Sequence, residues 1–152
     1  GHDWSEMQLL SDDSLVNEGP LAEQFVGQEL IASSSSRERV NLNFWKRDKA
    51  QSSAEVDYIL EIGSKIFAVE VKAGPSGSMR SLHQFMLKNE KLNDLSLRLH
   101  LSKPTLTRVS HSVLNSEGEG VPVNYRLLSL PLYMASESRR LLKEILTNAV
   151  EI

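Results

Sequence analysis

The sequence predicts an α/β fold on a mixed sheet, an antiparallel three-strand meander extended by a parallel strand and flanked by helices. Three observations lead there. Apolar residues alternate with polar ones in several short segments, the pattern of strands whose side chains point to opposite faces in turn. Helical spacing of apolar residues recurs before, between and after those segments. A stretch of helix length separates the third strand-like segment from the fourth, which favours a right-handed crossover and parallel pairing.

Residues 1–18 read as a lead-in. They are acidic and weakly periodic, and Gly1-His2 resembles a cloning remnant, so the chain is expected to be a fragment of a longer protein with one domain over 19–152. Gly19-Pro20 opens a helix, because proline at the first helical position gives up an N–H that has no partner there. Leu21, Ala22, Phe25, Val26 and Leu30 then follow helical spacing to about Ala32, and Ser33 to Ser36 break it. Val40, Leu42 and Phe44 form the first strand-like segment, ending at Trp45. Glu55 to Glu61 forms the second, with Val56, Tyr58 and Leu60 on one face, and Lys65 to Lys72 the third, with Phe67, Val69 and Val71 on one face. Ile62-Gly63-Ser64 between them is of hairpin length.

After the breakers in Ala73 to Gly77, a helix is expected from about Ser78 to Lys91 with Met79, Leu82, Phe85 and Met86 inward. Leu95, Leu97, Leu99 and Leu101 mark the fourth strand. Ser102 to Gly120 reads as polar and irregular, Val123 to Leu130 as a fifth strand, and Ser136 to Val150 as a closing helix through Leu141, Leu142, Ile145 and Val150.

Composition narrows the function. Apolar residues make up 40% and charged residues 24%, within the range of soluble globular domains. There is no cysteine, which removes disulfides, thiolate catalysis and cysteine-rich zinc sites. No apolar run approaches the ~20 residues of a membrane span. No membrane partner is expected, and a cytoplasmic location is. The net charge of −3 does not advertise nucleic-acid binding, which would require the 17 Lys and Arg to gather on one face.

Chemistry centres on Glu70-Val71-Lys72. A spacing of two on a strand puts Glu70 and Lys72 on the same face. Asp57, on the preceding strand of the hairpin, can approach Glu70 from the side. Two facing carboxylates repel, and when half-buried they need a compensating positive charge. A divalent cation supplies it, and oxygen-only ligands favour Mg²⁺ or Mn²⁺ over zinc. Lys72 beside such an ion could position and deprotonate a water and stabilise charge on a phosphoryl oxygen. Spacing alone is weak support, because 14 Glu and 8 Lys make one Glu-x-Lys an expected coincidence. A wet strand face with a surface ion pair explains it equally. Ile66 and Ala68 on the Glu70 face, and Ile59 on the Asp57 face, weigh against a simply wet surface.

Five blocks in order carry a resemblance: Gly19-Pro-Leu-Ala-Glu-Gln-Phe-Val26, Phe44-Trp-Lys-Arg47, Ala54-Glu-Val-Asp-Tyr58, Lys65-Ile-Phe-Ala-Val-Glu-Val-Lys-Ala-Gly74 and Leu130-Pro-Leu-Tyr133. Together they resemble the domain of unknown function 4143, over about Gly19 to Ala135. That family follows a P-loop AAA-type ATPase domain in bacterial and archaeal proteins and is similar to the PD-(D/E)XK, or restriction-endonuclease-like, nuclease fold. The resemblance implies a Mg²⁺-dependent nuclease-like domain, C-terminal to an ATPase domain of the same chain, with DNA as the expected partner. It implies Glu23, Asp57 and Glu70 as metal ligands and Asp57, Glu70 and Lys72 as the catalytic set. The chain has no Gly-x-x-x-x-Gly-Lys-Ser/Thr phosphate loop of its own.

Other residues carry two readings each. Glu23 without the resemblance is a surface acid near a helix start, and Glu29 takes its place if the helix is rotated. Gln84 is an accessory site residue or, more simply, polar surface. Lys46 and Arg47, with Trp45 and Lys49, form either an aromatic and basic edge for nucleic acid or an ordinary strand end. The four histidines show no metal spacing and receive no role. A non-catalytic module recognising DNA or protein competes with the enzyme reading, and a homo-oligomerising or regulatory domain stays open beside both.

Overall fold

The computed structural model describes residues 18–34, 45–46, 55–74, 78–91 and 93–148. Helix α1 (Glu18–Ala32) is followed by β1 (Trp45–Lys46), β2 (Glu55–Val56), β3 (Tyr58–Ile62) and β4 (Lys65–Val71). Then come α2 (Arg80–Lys88), β5 (Leu95–His100), β6 (Thr105–Leu114), β7 (Gly120–Pro131), a 3₁₀ turn (Leu132–Glu137) and α3 (Ser138–Thr147). Five strands form one mixed sheet in the order β3-β4-β5-β7-β6, and β1 pairs with β2 in a separate antiparallel ribbon.

The expected hairpin is present: β3 and β4 are antiparallel, Tyr58 opposite Val69 and Ile62 opposite Lys65. Gly63 turns the chain at φ 63°, a left-handed conformation that glycine adopts without a Cβ penalty. Crossover through α2 makes β5 parallel to β4, and β7 is parallel to β5 in turn. Asn93 fixes the start of β5, accepting from the Leu95 N–H at 2.9 Å and donating to the Ile66 carbonyl at 3.0 Å.

Three expectations are corrected. The segment Glu55 to Glu61 is not one strand but bends at Asp57. Val56 packs in the core under α2, whereas Tyr58, Leu60 and Ile62 pack in the core under α1 and α3, so the bend shifts the face on which alternate side chains lie. β2 and β3 therefore belong to different sheets, and Val40, Leu42 and Phe44, expected in the first strand of the meander, lie outside the described residues. The stretch read as irregular holds β6, a ten-residue edge strand antiparallel to β7. Its turn is held by Asn115, whose Oδ1 accepts from the N–H groups of Glu117 and Glu119 at 2.9 Å each. On α1, Leu21 and Phe25 are exposed, and Ala22, Val26 and Leu30 make the buried stripe.

The sheet has two covered faces. Val26 and Leu30 of α1, with Leu142 and Ile145 of α3, pack on Phe67, Val69, Leu97, Leu99, Leu128 and Leu130. Leu82, Phe85 and Met86 of α2 pack on the other face against Ala68, Tyr125 and Leu127. Gly27 lets α1 lie close to β3: a Cβ there would stand 2.6 Å from the Tyr58 hydroxyl oxygen. That hydroxyl donates to the Glu23 carbonyl at 2.7 Å, so the first turns of α1 are tied to the strand beside Asp57.

Candidate functional site

Strand register sets a polar row across the sheet on the face covered by α2. Glu70 of β4 stands opposite Arg98 of β5, and Arg98 opposite Ser129 of β7. The β3–β4 register, continued one residue past Tyr58 and Val69, brings Asp57 beside Glu70. Neighbouring strands are ~4.8 Å apart, so each polar residue of the row stands beside the next, from Asp57 at the bend before β3 through Glu70 and Arg98 to Ser129.

Asp57 performs a structural task at the bend. Its Oδ2 accepts the Val71 N–H at 2.7 Å, replacing a ladder bond that the bend interrupts. On the other side of β4 the Lys72 N–H returns to the Leu99 carbonyl at 2.8 Å. The Glu70-Val71-Lys72 backbone is thus pinned from both flanks.

Glu70 is strongly perturbed by its surroundings. It is 5% exposed, its Oε1 lies 3.0 Å from the Lys72 ammonium, and its Oε2 has no hydrogen-bond partner among the described residues. Burial, which disfavours the charged form, is the main reason its pKa rises to about 7. The neighbouring Asp57 charge pushes in the same direction, and the Lys72 hydrogen bond and charge pull against it. Glu23 of α1 contributes least. The Tyr58 hydroxyl is also held above its ordinary pKa, by burial first and then by Glu23 and Asp57.

Of the residues singled out from sequence, Asp57, Glu70 and Lys72 come together at one end of β4, and Glu23 lies half-buried on α1 within electrostatic range. Among the described residues, no group of three or more His, Cys, Asp or Glu side chains is arranged to hold a metal ion. Gln84 is not polar surface: it lies buried on the α2 side that faces the sheet, together with Leu82, Phe85 and Met86. Lys46 pairs through its backbone with Glu55. Arg47 and Lys49 lie outside the described residues.

Sequence reasoning missed the rest of this face. Arg98 donates from Nε to the Ser129 hydroxyl at 3.1 Å and from Nη1 to Met79 Sδ at 3.3 Å, at the start of α2. The Tyr125 hydroxyl lies 2.8 Å from His83 Nδ1, and the His83 ring stacks on His111 with centroids 4.3 Å apart. Burial raises the Tyr125 pKa, and burial followed by the His111 charge lowers that of His83. One signal was available: Ser96, Arg98 and His100 alternate with leucines in a strand covered on both faces.

The profile of the domain of unknown function (DUF4143) matches residues 18–123, from the start of α1 into β7. The chain belongs to the DUF4143 family. The matched segment holds Glu23, Asp57, Glu70, Lys72, Gln84 and Arg98, while the 3₁₀ turn and α3 lie wholly beyond it. No curated protein matches the chain. None of the described helices is long and apolar enough to cross a membrane.

Proposed function

We propose that this DUF4143 domain is a PD-(D/E)XK-type, Mg²⁺- or Mn²⁺-dependent phosphodiesterase acting on DNA, C-terminal to an AAA-type ATPase domain in its full-length protein. The observation that supports it best is the state of Glu70. A buried carboxyl that titrates near 7, beside a second carboxylate and against a lysine, is costly as structure, because ionising it leaves charge out of water. An arrangement that costs stability at a strand end fits a site better than a scaffold.

The donor set fits a hard divalent cation in kind, since the candidates are all carboxylate oxygens. Mg²⁺ is commonly held by one or two carboxylates, with water and phosphate oxygens completing the shell. Asp57 and Glu70 would hold it, with Glu23 the third acid from α1. When bound, the ion would polarise a phosphoryl oxygen and acidify a water. The chain's own residues do the positioning. The bonds from Val71 to Asp57 and from Lys72 to Leu99 fix the strand end. Lys72 holds Glu70 at 3.0 Å and places an ammonium where negative charge would build.

The test is hydrolysis of linear and supercoiled DNA by the purified chain in Mg²⁺ and in Mn²⁺, beside Lys72→Ala prepared identically. The expected outcome is cutting by the parent and a loss of at least about a hundredfold in the variant with the fold retained. Equal cutting by Lys72→Ala would refute the mechanism. A second reading, a non-catalytic module that recognises DNA or protein for its ATPase, is favoured by the absence of a three-acid metal group among the described residues and by the engagement of Asp57 with the Val71 amide. A parent that binds DNA and never cuts it would support that module.

A further inference from the structure

Arg98 poses a problem that the acid and lysine set does not solve. It sits in the middle of the sheet, directly across from Glu70, with a half-buried side chain. Among the described residues its side-chain hydrogen bonds go to neutral groups, the Ser129 hydroxyl and the Met79 thioether. Among the described residues it forms no salt bridge, although a buried carboxylate with an unpartnered oxygen lies on the adjacent strand. A partly desolvated cation is expensive unless an anion meets it. Here Ser129, which is fully buried, and Met79 hold the guanidinium in position without neutralising it.

A guanidinium anchored through Nε and one Nη still presents N–H groups in a fixed plane, suited to two oxygens of a phosphate. We propose that Arg98 is a phosphate-binding residue of this site, gripping a backbone phosphate of the nucleic acid one strand away from Glu70 and Lys72. This rests on the proposed phosphodiesterase reading for its substrate class. The row then divides the work: acids at the β3–β4 end, the lysine beside them, and a prepositioned fork in the centre.

The test uses a labelled short DNA duplex. Its dissociation constant is measured against salt concentration for the parent, Arg98→Gln and Arg98→Lys, with hydrolysis followed in parallel in Mg²⁺. Arg98→Gln is expected to bind about tenfold or more weakly, with a salt dependence reduced by roughly one phosphate contact. Arg98→Lys is expected to keep the salt dependence and recover only part of the affinity, since a point charge does not replace the fork. Should Arg98→Gln fail to fold, Arg98→Lys carries the test, and affinity equal to the parent's overturns the proposal. A parent that binds with this Arg98 dependence but never cuts sustains Arg98 and sinks hydrolysis. A parent that cuts, beside an Arg98→Gln protein of equal affinity and salt slope, does the reverse. A parent that binds no duplex removes both.

Discussion

The two faces of the central sheet are built from the same strands and are chemically unlike. Under α1 and α3, Leu97, Leu99, Leu128 and Leu130 alternate inward with Phe67 and Val69 in an apolar core, with the Tyr58 phenol and the buried Arg139 of α3 as its polar members among the described residues. Under α2, the same strands present Glu70, Arg98, Ser96 and Ser129, with Tyr125 bonded to His83 among the apolar contacts. One face is organised for stability by burial. The other gives up burial for a row of groups that must be hydrogen-bonded, paired or neutralised. That asymmetry separates the two faces more sharply than any single motif does.

The apolar face is the more sensitive to truncation. Leu97→Ala removes a fully buried side chain from the middle of the sheet and should destabilise the fold by about 2–5 kcal/mol, as transfer and cavity costs add. Urea unfolding at two pH values would measure it, and the loss should be the same at both, because no titrating carboxyl packs there. On the polar face the sign reverses. Folding raises the Glu70 pKa from 4.5 to about 7, so between those values the folded chain holds a proton that the unfolded chain releases. Stability from this group is complete below 4.5, falls as pH rises through that window and is lost above about 7. Glu70→Gln should therefore flatten the curve and stabilise the chain at alkaline pH by roughly 2–3 kcal/mol. A variant less stable than the parent there would show that ionised Glu70 is well solvated or well paired, and the contrast between the faces would lose its basis.

Much of this was legible in the sequence, and the exceptions have physical causes. The α1 start, the β3–β4 hairpin, the crossover helix and the parallel β5 follow from glycine, proline and unbroken periodicity. The Glu70–Lys72 pair was readable because both lie on one strand, at a spacing of two. Strand β6 was missed because Leu106 packs on one face while Val109 and Val113 pack on the other, so its apolar residues change phase within ten positions. The bend at Asp57 was invisible because Val56, Tyr58 and Leu60 alternate as though the strand were continuous. Arg98, Tyr125 and His83 meet only through parallel register and crossover, which join distant segments and leave no local spacing to detect. Gln84 looked like surface because polarity alone does not say which side of α2 faces the sheet.

A cation site formed by Glu70 and its neighbours would bind Mn²⁺ in a calorimetric titration. The parent, Glu70→Gln and Asp57→Ala are compared near pH 6.5 in buffers of different ionisation enthalpy, which separates ion binding from proton release. Binding by the parent should release protons, because the ion replaces the proton that Glu70 holds, and both variants should bind far more weakly. Absence of binding by the parent, or equal binding without proton release in all three proteins, would show that these carboxyl groups hold no ion.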